Sequence, residues 1–139
     1  MKNIRFLFLA GLSLLSMSAS AAEPQLEKSI AQGKDLFMHS TFEGKGKFCE
    51  SCHLAGGTES GKLPNGNAIP SLNNAATIFP RYNKKANKVV TLEDQVRNCT
   101  SMGLQGNAPA YGSEELNSIV SYLTSLSMGK LVDMGGKPL

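Results

Sequence analysis

Five consecutive residues carry the most specific chemistry in this sequence: Cys49, Glu50, Ser51, Cys52 and His53, a C-x-x-C-H motif. Two thiols one tight turn apart are spaced to form thioethers with the two vinyl groups on one edge of a porphyrin, and the adjacent imidazole is placed to bind the iron. The motif therefore predicts one covalently bound haem c, attached through Cys49 and Cys52, with His53 as the proximal ligand. Other uses fit less well. A disulfide between Cys49 and Cys52 leaves His53 without a role. A zinc site needs four ligands, and beyond these three the chain offers Cys99 and His39 at spacings unlike a ribbon or finger. A thioredoxin-like redox pair needs a βαβ frame, which the helical periodicity denies.

Haem iron has a second axial position, and its occupant separates electron carriage from chemistry at the metal. Met102 offers a thioether downstream of the motif, and its other reading is ordinary packing. Cys99 is the odd cysteine; with two thiols consumed by haem, a free third is an oxidation liability unless it is buried or has a task. Standing three apart on a helix, the two fall toward the same side, so spacing leaves both open. His39 reads as a surface residue at the end of a first helix, and Met128 and Met134 lie where the last helix has run or ended. An iron left open, as in a small-gas sensor, is the remaining alternative.

The elements that must hold these groups are helical. Leu26, Ile30, Gly33 and Phe37 recur at steps of four, three and four, which predicts a helix over 25–39. Residues 43–74 are broken by glycine, proline and asparagine into an irregular wrapping segment, with a short turn around Cys49 to Leu54. Thr91 reads as an N-cap with Glu93 and Asp94 in the first turn, opening a helix over 92–100 that puts Leu92, Val96 and Cys99 on one face. Ser113, Glu114 and Glu115 open a last helix, with Leu116, Ile119, Val120, Leu123 and Leu126 at helical spacing, ending near Gly129. The tail to Leu139 reads as frayed, and no β alternation of useful length occurs. The fold class expected is all-α, about three to four helices wrapped around one haem.

At 139 residues the chain suits one domain. Aromatic residues are 6% and tryptophan is absent, so the core lacks its largest side chains and a macrocycle would supply that bulk. Residues 1–22 read as a secretory signal: Lys2 and Arg5, the apolar run Phe6 to Leu15, then small residues with cleavage after Ala21 or Ala22. The mature domain is then 23–139, exported to the periplasm, with no second apolar run to span a membrane. The formal charge of +3 includes that leader; without it, 12 basic against 11 acidic residues leave +1, which gives nucleic-acid binding no electrostatic support. Arg81, Lys84, Lys85 and Lys88 cluster locally, either as a solvated turn or as a surface steering an acidic redox partner.

The segments Phe79-Pro80-Arg81-Tyr82-Asn83, Val90 to Cys99 with Met102 and Gly103, and Ser113 to Tyr122-Leu123 resemble the cytochrome domains of thiosulfate dehydrogenases and the Sox sulfur-oxidation cytochromes. That resemblance implies a small class I cytochrome c fold. It also implies that Cys99, which matches the cysteine after the Thr-Leu-Glu-Asp helix, ligates the haem iron as a thiolate, with Met102 the alternative. Arg81 and Arg97 would then meet a haem propionate or an anionic sulfur substrate. The dehydrogenases of this family usually carry a second haem, whereas here there is one C-x-x-C-H and no cysteine for another. The expectation is a periplasmic monohaem carrier of single electrons in sulfur-compound respiration or oxidation, with a thiosulfate dehydrogenase-like enzyme or subunit as the alternative.

Overall fold

The computed structural model describes residues 24–139; the expected signal segment and its cleavage point lie outside them. Helix α1 spans Pro24–His39 and α4 spans Glu114–Leu126, and the two cross in close contact. Gly33 sets the distance: a Cβ there would stand 1.9 Å from the Ser118 carbonyl oxygen and 2.9 Å from the Tyr122 Cβ. One turn on, Phe37 is buried and meets the Tyr122 ring edge-on at 5.5 Å between centroids. The face of α4 that the spacing predicts is the buried one, with Leu116, Ile119, Tyr122 and Leu123 in the core. Ser113 caps α4, its Oγ accepting from the Leu116 amide at 3.2 Å. Leu26, first in the α1 series, lies outside the crossing at 47% exposure.

Between these helices the chain makes short elements. A 3₁₀ turn at Cys49–Ser51 opens the motif and a second follows it at Ala55–Gly57, and α2 is the four-residue helix Ala75–Ile78. Helix α3 spans Leu92–Asn98 behind a reciprocal cap, in which Thr91 Oγ1 accepts from the Asp94 amide and Asp94 returns a bond from the Thr91 amide. Two small antiparallel ladders were not foreseen. Strands β1 (Gly61–Lys62) and β2 (Ala68–Ile69) pair inside the glycine-rich segment, and β3 (Arg81–Asn83) pairs with β4 (Lys88–Val90). Strands of two or three residues are too short to show alternation, so the periodicity argument had nothing to detect. The mostly helical class stands, and the basic cluster of residues 81–88, read as a solvated turn or a docking surface, lies on a β-hairpin with its lysines exposed.

The tail is the clearest correction. The Asp133 amide donates to the Thr77 carbonyl at 2.8 Å and the Gly135 amide to Ile78 at 3.0 Å. Asn74 donates its side-chain amide to the Lys137 carbonyl at 2.9 Å, and Ser71 N–H reaches the Leu139 carbonyl at 3.1 Å. A glycine- and proline-rich tail thus gains order from partners on the α2 segment, which local composition does not report.

Candidate haem site

The crossing of α1 and α4 forms one wall of an apolar cavity of about 380 Å³. Phe37, Ile119 and Leu123 come from that wall; Leu92, Val96 and Cys99 come from α3 and the turn after it; Cys49, Cys52 and His53 come from the motif. Ile69, Pro70, Ile78 and Phe79 close further sides, and Pro138 of the ordered tail reaches the lining. Among the lining residues, Arg81 and the neutral Gln95 and Asn74 stand with the imidazole as the larger polar groups.

The motif is held by its backbone surroundings. Gly61 on β1 passes so close to Cys52 that a Cβ would lie 1.9 Å from the Cys52 carbonyl oxygen. The His53 Nδ1 lies 3.0 Å from the Pro70 carbonyl oxygen. A carbonyl only accepts, so Nδ1 carries the proton and Nε2 keeps its lone pair free for a metal. This is the partner a ligating imidazole needs to fix its tautomer and ring plane. Burial pushes the His53 pKa down, partly offset by that hydrogen bond, so the neutral form capable of ligation is favoured. Phe37 stacks at a tilt beside it, 6.5 Å between ring centroids. Burial, with Cys99 and Cys52 nearby, raises the Cys49 thiol to about 12, the mark of a sulfur enclosed in apolar surroundings.

Also on this cavity, the chain after α3 widens. Residues Cys99–Gly103 form a π turn, with the Leu104 amide bonded to the Cys99 carbonyl five residues back at 3.1 Å. A residue in this wider turn covers less of the circle than in an α-helix, so Cys99 and Met102 no longer share a side. Cys99 lines the cavity; Met102 does not, and is 74% exposed. The sequence expectation of a continuous helix to residue 100, with both sulfurs on one face, is corrected here. Cys99 is exposed on the cavity surface; desolvation by the surrounding atoms raises its pKa, with a hydrogen bond from Gln95 acting against it.

The two arginines part company. Arg81 lines the cavity and rests over the Phe79 ring at 5.4 Å from its centroid. Arg97 lies outside the lining, over the Tyr111 ring at 4.2 Å, and donates to the Pro109 carbonyl. His39 is on the surface, paired with Asp35 at 2.9 Å, and Lys84, Lys85 and Lys88 are exposed on the β3–β4 hairpin. Sequence reasoning did not single out Gln95, Pro70 or Gly61. Gln95 alone had a readable signal, since it precedes Cys99 by one helical turn.

Four helices, an imidazole with its free nitrogen presented by a backbone carbonyl, and three sulfurs on one apolar cavity are the arrangement of a c-type cytochrome domain. The comparisons agree. Residues 32–132 match the family described as SoxA/TsdA, cytochrome c domain, and the chain belongs to that family. It is 32% identical over 79 residues to a thiosulfate dehydrogenase of Psychrobacter arcticus, covering 57% of this chain and 22% of the relative. A thiosulfate dehydrogenase of Stutzerimonas stutzeri is 29% identical over 105 residues, 72% of this chain and 32% of its own. In fold it is similar to thiosulfate dehydrogenase (TsdBA) from Marichromatium purpuratum, with a TM-score of 0.64 at 24% identity over 86% of this chain and 26% of that one. The chain thus spans less than half the length of these relatives.

The cofactor is therefore a covalently bound haem c, and the residues present fit it. Cys49 and Cys52 would carry the thioethers and His53 would ligate. Bound there, the group would supply a one-electron couple at iron, while the chain fixes the imidazole through the Pro70 carbonyl and presents Cys99 on the lining of the same cavity.

Proposed function

We propose that this protein is a periplasmic monohaem cytochrome that passes single electrons between redox partners in sulfur-compound metabolism, with His53 and Cys99 as the axial ligands. The observation that carries this reading is that Cys99 lines the same cavity as Cys49, Cys52 and His53, whereas Met102 points away. The one C-x-x-C-H of this sequence holds one iron, which takes up one electron at a time. Joining two thiosulfate ions through a new S–S bond releases two electrons, one more than a single iron accepts between ferric and ferrous. Among the described residues no helix is long and apolar enough to cross a membrane. Arg81 at the cavity serves as a propionate partner, and the exposed Lys84, Lys85 and Lys88 beside it form the docking surface for an acidic redox protein.

A second reading is favoured by the relatives, which carry the name thiosulfate dehydrogenase: the chain acts as an oxidoreductase subunit, with Cys99 beside the reacting sulfur and a partner's redox centre taking the second electron. Electron paramagnetic resonance and near-infrared magnetic circular dichroism of the ferric holoprotein test the ligand assignment. A thiolate signature lost in Cys99→Ala and kept in Met102→Ala is the expected result; the reverse overturns it. Thiosulfate then separates the two functions. The carrier is not reduced by it, whereas reduction abolished in Cys99→Ala and retained in Met102→Ala would establish the enzyme subunit.

A further inference from the structure

The side chain of Gln95 is the one group that touches both sides of the Cys99 wall. It lines the haem cavity, and it also lines a second, outer cleft of about 230 Å³ between the β3–β4 hairpin, α3 and the segment around Tyr111. Among the described residues no other lines both. Its Nε2 lies 3.2 Å from the Cys99 sulfur, a donor on an acceptor. The two residues are also joined through the backbone, since the Cys99 amide bonds to the Gln95 carbonyl where α3 opens into the π turn. The nearby charges are engaged elsewhere: Asp94 accepts from the Tyr111 hydroxyl and the Thr91 amide, and Arg97 is held by Tyr111 and the Pro109 carbonyl. Gln95 is therefore the side-chain donor that the structure gives to the Cys99 sulfur.

We infer that Gln95 is a positioning residue for the Cys99 ligand: its amide holds the sulfur on the cavity wall and draws charge from the thiolate, raising the reduction potential of the site. This rests on the reading of Cys99 as an axial ligand. The physical chain is short. A thiolate donates charge to iron and favours the ferric state, and a hydrogen bond to sulfur withdraws part of that charge. An amide does so without adding a net charge and without closing the outer cleft.

The test uses the holoprotein with Gln95→Leu, Gln95→Glu and Gln95→Lys, and Ser101→Ala as a control on the same turn. Ser101 bonds through its hydroxyl to the Arg97 carbonyl at 3.0 Å and has no bond to Cys99. Redox titration and the ferric resonance spectrum are read for each. Reduction of Gln95→Leu becomes harder, with the reduced-to-oxidised ratio at a fixed potential falling about tenfold, the size of one charge-assisted hydrogen bond. Gln95→Glu falls further, Gln95→Lys rises, and Ser101→Ala stays with the parent. The thiolate resonance shifts in the Gln95 variants without disappearing. If the parent has a thiolate resonance but the Gln95 variants neither shift it nor change the potential, the inference fails alone. A parent with no resonance lost in Cys99→Ala overturns both the ligand reading and this one. A purely structural role is excluded by the ordering Lys, Gln, Leu, Glu, since packing loss would not follow the sign of charge.

Discussion

On the Cys49–His53 wall of the cavity the holding is done by main chain. The Cys52 carbonyl sits under Gly61 with no room for a methyl group, and the Pro70 carbonyl accepts a hydrogen bond from His53 Nδ1–H. On the Cys99 wall a side chain does that work, with Gln95 of α3 donating to the sulfur of Cys99, the first residue of the π turn. Main-chain contacts change little with substitution elsewhere, so the first wall is built for permanence. A side-chain donor can be exchanged without moving the fold, so with Cys99 proposed as a ligand the second wall is the one open to electronic adjustment.

Five sets of substitutions test that contrast. The largest effect is expected for Cys52→Ala, which removes one thioether; the pyridine haemochrome band then shifts to that of a haem retaining one vinyl group, and haem yield drops. Gly61→Val comes next. Its Cβ cannot be placed beside the Cys52 carbonyl without moving backbone, at a cost of about 3 kcal/mol read from denaturant unfolding of the holoprotein. Gly61→Val should also lower the fraction of chain that acquires haem, whereas Cys99→Ala should leave attachment intact and change only the spectrum.

Reversing Lys84, Lys85 and Lys88 to glutamate should leave the spectrum unchanged while slowing electron exchange with an acidic partner. The dependence of that rate on ionic strength should flatten or invert. Thr91→Ala removes a helix cap and should cost about 1 kcal/mol by thermal or denaturant unfolding. The smallest effect is a pH dependence at the same cap. The Tyr111 hydroxyl and the Thr91 amide hold Asp94 below its ordinary 3.8. A carboxylate with a lowered folded pKa stabilises the fold above its unfolded value and loses that contribution as pH falls through the folded one. The same bond raises Tyr111 above its ordinary 10.0, so its contribution also fades at strongly alkaline pH. Tyr111→Phe should therefore move the acid unfolding midpoint slightly upward.

The attachment motif was legible because its chemistry is local: five adjacent residues need no fold to be recognised. The α1 and α4 stripes were legible for a related reason, since burial along a helix repeats at a period the chain itself carries, and Gly33 and Phe37 fell where it placed them. Caps at Thr91 and Ser113 are likewise contacts within one turn. What escaped was long-range or depended on a change of period. The tail took its order from residues near 74–78, some sixty positions earlier in the chain.

The choice between Cys99 and Met102 shows the division most sharply. Residue types and family likeness brought both sulfurs to the distal side of the haem motif, and helical spacing gave them equal standing. A single widened turn separated them, leaving Cys99 on the cavity and Met102 in solvent. Such a turn is set by the bonds from Leu104 to Cys99 and from Thr100 to Val96, and by burial of Thr100 and Leu104 against the core. The sequence alone was enough to predict covalent haem at Cys49 and Cys52 with His53 beside them. Packing in three dimensions settled which sulfur, and which amide behind it, faces that site, because the phase of a helix past a bulge depends on what the next buried side chain must reach.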